Sequence, residues 1–127
     1  MKKAAIVMGG TANMSFAMAV FLLSFFQENL QINTDVIIFH DGISESEKKV
    51  MEQIHPCYFR EYMSPFSMEV LDRIDSICRF TPMVFCKYEC LRLLNEYETV
   101  VWFDYDMIVT GDLTELFTPV SGGARLM

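Results

Sequence analysis

The chain has 127 residues, 52% of them hydrophobic and 21% charged, with a formal net charge of −7 and a pI near 4.7. That length suits one domain with a real core, and the composition excludes a disordered chain. Acidity without any Lys/Arg block excludes a sequence-independent grip on nucleic acid phosphates, so nucleic acid is not an expected partner.

"AAIVMGG", Ala4 to Gly10, is a short apolar run closed by two glycines, the pattern of a fully buried strand feeding a tight turn. Ala12 to Asn29 then reads as a helix whose apolar residues cover nearly the whole circumference, which predicts packing on more than one side. Its thirteen-residue apolar stretch "MSFAMAVFLLSFF" is too short to span a bilayer. Gly9, Gly10, Thr11 and Asn13 separate it from the basic start, and no clean small-residue cleavage site follows, so a buried helix is expected in place of a signal peptide or membrane segment.

"DVIIFHDG", Asp35 to Gly42, predicts a second buried strand ending at a turn. Ser44 with Glu47 three residues later is a capping-box signature, so Ser44 to about Ile54 predicts a surface helix. "CYFREY", Cys57 to Tyr62, reads as a third strand beyond Pro56, and Met68 to Ile74 as a short helix after a loop. Thr81-Pro82, an N-cap before a proline at the first helical position, opens a helix to about Tyr97. "TVVWF", Thr99 to Phe103, is the fourth buried strand. Strands alternating with helices predict an α/β fold with a mainly parallel sheet and right-handed crossovers.

Four cysteines, Cys57, Cys78, Cys86 and Cys90, show no Cys-x-x-Cys spacing, and neither His40 nor His55 lies near a pair of them in sequence. Reduced thiols in a cytoplasmic protein are the expectation. The Cys86/Cys90 pair at helical spacing reads as core packing, as do the methionine-rich stretches.

The chemistry concentrates in "VVWFDYDMIVTGDL", residues 100 to 113. Asp104 and Asp106 stand at the carboxyl end of the fourth strand, where ligands bind in open α/β sheets. Two carboxylates held together raise each other's pKa unless something positive joins them. A hard divalent cation, Mg²⁺ or Mn²⁺, takes oxygen ligands and bridges carboxylates to substrate phosphates, and Tyr105 between the aspartates lets them flank a bend. On spacing alone, that reading and a capped turn with a solvated neighbour both stay open.

"LLNEYETVVWFDYDMIVTGDLTELF" resembles the core signature of family 8 glycosyltransferases, retaining enzymes that include bacterial lipopolysaccharide galactosyl- and glucosyltransferases and glycogenin. "AAIVMGGTANMSFAMAVFLLSFF" resembles the family's first strand and helix, and "TDVIIFHDGISESEKKVMEQI" its second strand and following helix. The resemblance implies a Rossmann-like GT-A nucleotide-sugar-binding domain, with UDP-hexose as donor, Mn²⁺ or Mg²⁺ as cofactor and a glycan or lipopolysaccharide acceptor. It implies that Asp104 contacts the donor ribose and the metal, that Asp106 ligates the metal, and that Lys87 faces the donor. From the residues alone, a lysine snorkelling from a partly buried helix face serves equally for Lys87. Met8, Gly9, Thr11 and Asn13 at the end of the first strand, with Tyr105, would line the donor side.

Two departures stand out. Many family members have an aspartate where this chain offers Gly10 or Thr11. Family members also run to about twice this length, by the same resemblance, and their second half supplies a third metal ligand, typically a histidine, and the acceptor site. The expectation is therefore a single nucleotide-binding half over residues 1–127, truncated and prone to self-association, acting in the cytoplasm or at the periphery of the inner membrane. The alternative is a non-catalytic nucleotide-binding or assembly module. A lesser one rests on "FDYDMIVTG", which weakly resembles the Asp-x-Asp start of haloacid dehalogenase phosphatases, although those have Thr or Val where this chain has Ile108 and follow the first strand.

Overall fold

Alternation along the two central strands decides the architecture. In β1 (Lys2–Gly10) and β2 (Asp35–His40), Ile6, Met8, Val36 and Ile38 point to one face of the sheet, and Ala5, Val7, Ile37 and Phe39 to the other. Both sets are buried, so these strands are covered on both faces, as near-continuous apolar runs require. The computed structural model describes residues 1–73 and 82–118, and within them β3 (Tyr58–Glu61) and β4 (Tyr97–Trp102) complete a four-stranded, wholly parallel sheet of order β3-β2-β1-β4.

One face carries α1 (Ser15–Glu28) and α2 (Glu45–Ile54), which bury Met18, Phe21, Leu22, Phe25 and Met51 against it. The other carries a 3-10 segment, Pro82–Tyr88, and α4 (Glu89–Leu93), contributing Met83, Cys86 and Leu93. A one-turn α3 (Met68–Leu71) lies between β3 and that segment. β3 is an edge strand and mostly exposed. At the amino ends of the strands, Tyr97 Oη donates to Asp35 Oδ2 (2.6 Å) and Lys2 Nζ lies 3.4 Å from the same oxygen, which ties β1, β2 and β4 together.

Several elements differ in extent from the sequence expectation. The first helix begins as a 3-10 turn over Ala12–Met14, and β2 stops at His40 because Gly42 turns the chain with φ 142°, a left-handed conformation suited to glycine. The helix expected to reach Tyr97 ends at Leu93. Its exit is set by pairing: the Lys2 N–H donates to Glu96 O (2.9 Å) and Lys2 registers with Tyr97, so the main chain there already belongs to the sheet. The expected cap at Thr81, the end of the short helix at Ile74, and Cys78 lie outside the described residues. The all-round apolar α1 packs on more than one side, against the sheet and against α2, but Phe16, Val20 and Leu23 form a stripe that stays exposed.

Candidate functional site

The strand order creates a crevice. From β1 the chain proceeds to β2 and β3 on one side, with helices on one face, and then crosses to β4 on the other side of β1. The carboxyl ends of β1 and β4 therefore flank the point where the winding reverses, the usual ligand position in open α/β sheets. Val7 registers with Trp102, and the Phe103 N–H donates to Val7 O (2.9 Å), so the turn after β1 and the Asp104–Asp106 segment emerge side by side.

Phe103 and Tyr105 turn inward while Asp104 and Asp106 stay exposed. The Phe103 ring packs against Phe21 and Phe25, with centroids 5.1 and 5.9 Å apart. Tyr105 is half-buried beside Gly10, and burial, then the neighbouring Asp106 and Asp104 charges, push its phenol above the ordinary tyrosine range. The apolar setting of the two aspartates thus has a mechanical explanation: aromatic neighbours in the core hold a short exposed acidic loop. Trp102 Nε1 donates to Asp104 Oδ1 (3.0 Å), which orients one of the two carboxylates.

The two glycines closing β1 let other segments approach. A Cβ at Gly9 would collide with Cys86 Sγ and lie 3.2 Å from Trp102 and from Phe39 Cβ. Cys86 is fully buried there, and burial pushes its thiol to about 12. Lys87, its neighbour in the 3-10 segment, is exposed. Met8 is wholly buried in the core, main chain included, and Gly9 beside it is half-buried, so Met8 is not open to a ligand. Thr11 and Asn13 lie on the turn, where Thr11 Oγ1 donates to Asn13 Oδ1, and Asn13 is exposed.

Asp41, just past β2, was not singled out by the sequence, although its place at a strand's carboxyl end was a signal. Its Oδ1 accepts from the Ala12 N–H (2.7 Å) and so fastens the β1 turn to β2. His40 shapes the same corner: its Nδ1 accepts from the N–H groups of Gly42 and Ile43, both at 3.0 Å. Burial, then the Lys48 charge, lower the His40 pKa, so the imidazole is held neutral.

Asp104 and Asp106 offer the oxygen donors that suit a hard divalent cation completed by phosphate and water. Among the described residues no group of three or more His, Cys, Asp or Glu side chains could hold a metal, so a cation here would depend on ligands besides this pair. No helix among the described residues is long and apolar enough to cross a membrane. One hollow lined by Met1–Ala4, Asn33 and Thr34 and another lined by Lys3, Ala4, Asn33, Glu98 and Thr99 lie at the opposite, amino ends of the strands, away from the aspartates.

A parallel sheet with helices on both faces and a winding reversal between β1 and β4 is a GT-A-like α/β fold. The chain matches the model of glycosyl transferase family 8 over residues 5–122 and belongs to that family. Among solved structures it is similar to the galactosyltransferase LgtC in complex with donor and acceptor sugar analogues, at 17% identity and a TM-score of 0.68 over 88% of this chain and 41% of that one. It is also similar to the bifunctional glycosyltransferase WbbM, at 17% identity and a TM-score of 0.67 over 93% of this chain and 21% of that one. The glycosyltransferase GlyE of Streptococcus pneumoniae TIGR4 aligns at 22% identity and a TM-score of 0.62 over 96% of this chain and 28% of that one. The chain thus spans less than half the length of each of these structures. No curated protein sequence matches it.

Proposed function

We propose that the chain is the donor-binding part of a retaining hexosyltransferase, taking a nucleoside diphosphate sugar of the UDP-hexose type. The observation that carries this reading is an exposed Asp-x-Asp loop at the sheet's switch point in a family 8 chain. In it, Asp104 and Asp106 hold Mn²⁺ or Mg²⁺, which neutralises the donor diphosphate and its leaving charge. Asp104, oriented by Trp102, also meets the ribose, and Lys87 faces the phosphates. The turn beyond Met8, through Asn13, offers main-chain groups to the base, with Asn13 as the exposed side chain and Tyr105 as the wall beneath. Transfer to a glycan or lipopolysaccharide acceptor is the function of the complete transferase. The free thiols of Cys57, Cys86 and Cys90 support a reducing, cytoplasmic setting.

A second reading, a nucleotide-binding or assembly module without turnover, is favoured by one observation: the described residues supply two carboxylates and no third metal-ligating side chain beside them. The phosphatase resemblance gives way, since the aspartates follow β4 and the chain belongs to family 8. Calorimetric titration of UDP with and without Mn²⁺ tests the proposal. Binding that requires Mn²⁺ is expected, and absence of binding in both conditions rejects the donor site. Hydrolysis or transfer from UDP-hexose, assayed beside it, separates the two readings.

A further inference from the structure

Between Phe103 and Val109 the chain carries both aspartates, and among the described residues no main-chain group from Asp104 to Ile108 bonds to another main-chain group. Apart from the Tyr105 ring beside Gly10 and the Trp102–Asp104 bond, the loop is held by its ends. Its upstream end is the Phe103 N–H on Val7 O (2.9 Å). Its downstream end packs Val109 and Leu113 on the core and is hydrogen-bonded by polar side chains at the C-terminal end of α1. The Val109 N–H donates to Ser24 Oγ (3.0 Å), while Ser24 Oγ donates its own proton to Phe21 O (2.8 Å). Asn29 receives the Leu113 N–H on Oδ1 (2.7 Å) and donates through Nδ2 to Gly111 O (3.0 Å) and Phe25 O (3.2 Å).

Asn29 is fully buried, so its amide meets these three main-chain groups where water cannot replace it. Ser24 is likewise buried, beside the apolar Phe21, Leu22 and Phe25 of the same helix. Asn29 is the C-cap of α1 and serves the helix through Phe25 O, but its bonds with Leu113 and Gly111, like that of Ser24 with Val109, serve the segment beyond the aspartates. Both side chains make sense as receptors for the segment that follows the aspartates.

We propose that Asn29, assisted by Ser24, is the positioning residue of the aspartate loop, fixing its downstream end so that the Asp104 and Asp106 carboxylates stay near enough to share one divalent cation. This rests on the metal reading above. Like charges on a loop free at one end move apart, whereas a loop pinned at both ends meets the cation already arranged.

The test uses the full chain, with Mn²⁺ titrated in the presence of UDP by calorimetry and a thermal melt on each sample. The set is the parent, Asn29→Ala, Ser24→Ala, Ser24→Thr and, as a stability control on the far face of the sheet, Ile37→Val. Asn29→Ala and Ser24→Ala are expected to weaken Mn²⁺-dependent UDP binding by roughly tenfold, as loss of a supporting partner does at metal sites. Ser24→Thr, which keeps the hydroxyl, is expected to restore it, and Ile37→Val to lower Tm without changing the affinity. If the parent binds and both alanine variants bind as tightly, the proposal is overturned while the metal reading stands. If Ile37→Val loses as much affinity for the same loss of Tm, the role is structural and the proposal is also overturned. A parent with no Mn²⁺-dependent UDP binding removes the metal reading and this proposal with it. Should Asn29→Ala fail to fold, Ser24→Ala against Ser24→Thr decides the matter.

Discussion

The ring of Tyr105 occupies the space that a side chain at Gly10 would fill: a Cβ there would lie 2.6 Å from Tyr105 Cε1 and 3.0 Å from Met18 Cε. The residue between the two aspartates and the last residue of β1 are therefore one packing unit. A side chain at position 10 is incompatible with this tyrosine placement. Gly10→Ala is expected to destabilise the fold by about 1–3 kcal/mol, the usual cost of overpacking. In the background of Tyr105→Leu the same change is expected to cost less, because the obstructing ring is gone. Urea unfolding of the two single variants and the double variant measures this coupling, and strictly additive effects would refute the interlock.

The two aspartates are not equivalent, since only Asp104 is held by Trp102. Under the proposed function, Asp106→Asn abolishes Mn²⁺-dependent UDP binding. Trp102→Phe keeps the aromatic packing but removes the N–H donor, and weakens that binding a few-fold, in line with about 0.5–1.5 kcal/mol for a net hydrogen bond. Titration calorimetry reads both. Unchanged affinity in Asp106→Asn would argue that its carboxylate is merely solvated.

His40 gives the fold a pH dependence of defined sign. Burial, followed by Lys48, depresses its pKa below the ordinary 6.5, against weaker upward pulls from Glu61, Asp41 and Glu45. A depressed folded-state pKa contributes stability that is present above the unfolded value and is lost as pH falls through the folded one. Tm is thus expected to fall as the solution is acidified below about pH 6.5. His40→Asn keeps an acceptor for the Gly42 and Ile43 N–H groups but cannot titrate. Its Tm is expected to change less over the same range, as followed by circular dichroism.

The thiols are expected to be inert while the chain is folded. Burial pushes Cys57 and Cys86 to about 12 and Cys90 to about 11, so little thiolate exists near neutral pH. At pH 8 a disulfide reagent such as DTNB should react slowly at these three positions in the native chain and quickly in denaturant. Rapid native labelling of Cys86, mapped by mass spectrometry, would contradict its seat against Gly9.

The capping box of α2 tests a feature read from sequence and found in the fold. The Glu47 N–H donates to Ser44 Oγ (3.3 Å), and Glu47 Oε2 accepts from the Ser44 N–H (3.3 Å). Glu47 Oε1 also accepts from Ser15 Oγ (3.0 Å), which links the cap to the start of α1. Ser44→Ala should cost about 1 kcal/mol of stability and leave UDP binding unchanged. Thermal melts with parallel titrations check both halves of that expectation.

What the sequence determined by itself was local and periodic. Unbroken apolar runs marked β1 and β2 as strands covered on both faces and β4 as a strand, which at the sheet edge is only half-buried, while Ser44 and Glu47 marked the start of α2 and Asp104 and Asp106 the end of β4. These signals are carried by neighbouring residues and hold wherever the segment is placed. Tertiary structure decided what depends on partners distant in the chain. Gly10 yields its space to Tyr105, Gly9 to Cys86, and the helix after Pro82 ends early because Lys2 has already engaged Glu96. Ser24 and Asn29 read as minor breaks in an apolar helix until their hydrogen bonds to Val109, Gly111 and Leu113 appear. The physical reason is that a buried polar atom or a missing side chain is explained only by the group that meets it, and here that group is some 80 residues further along the chain.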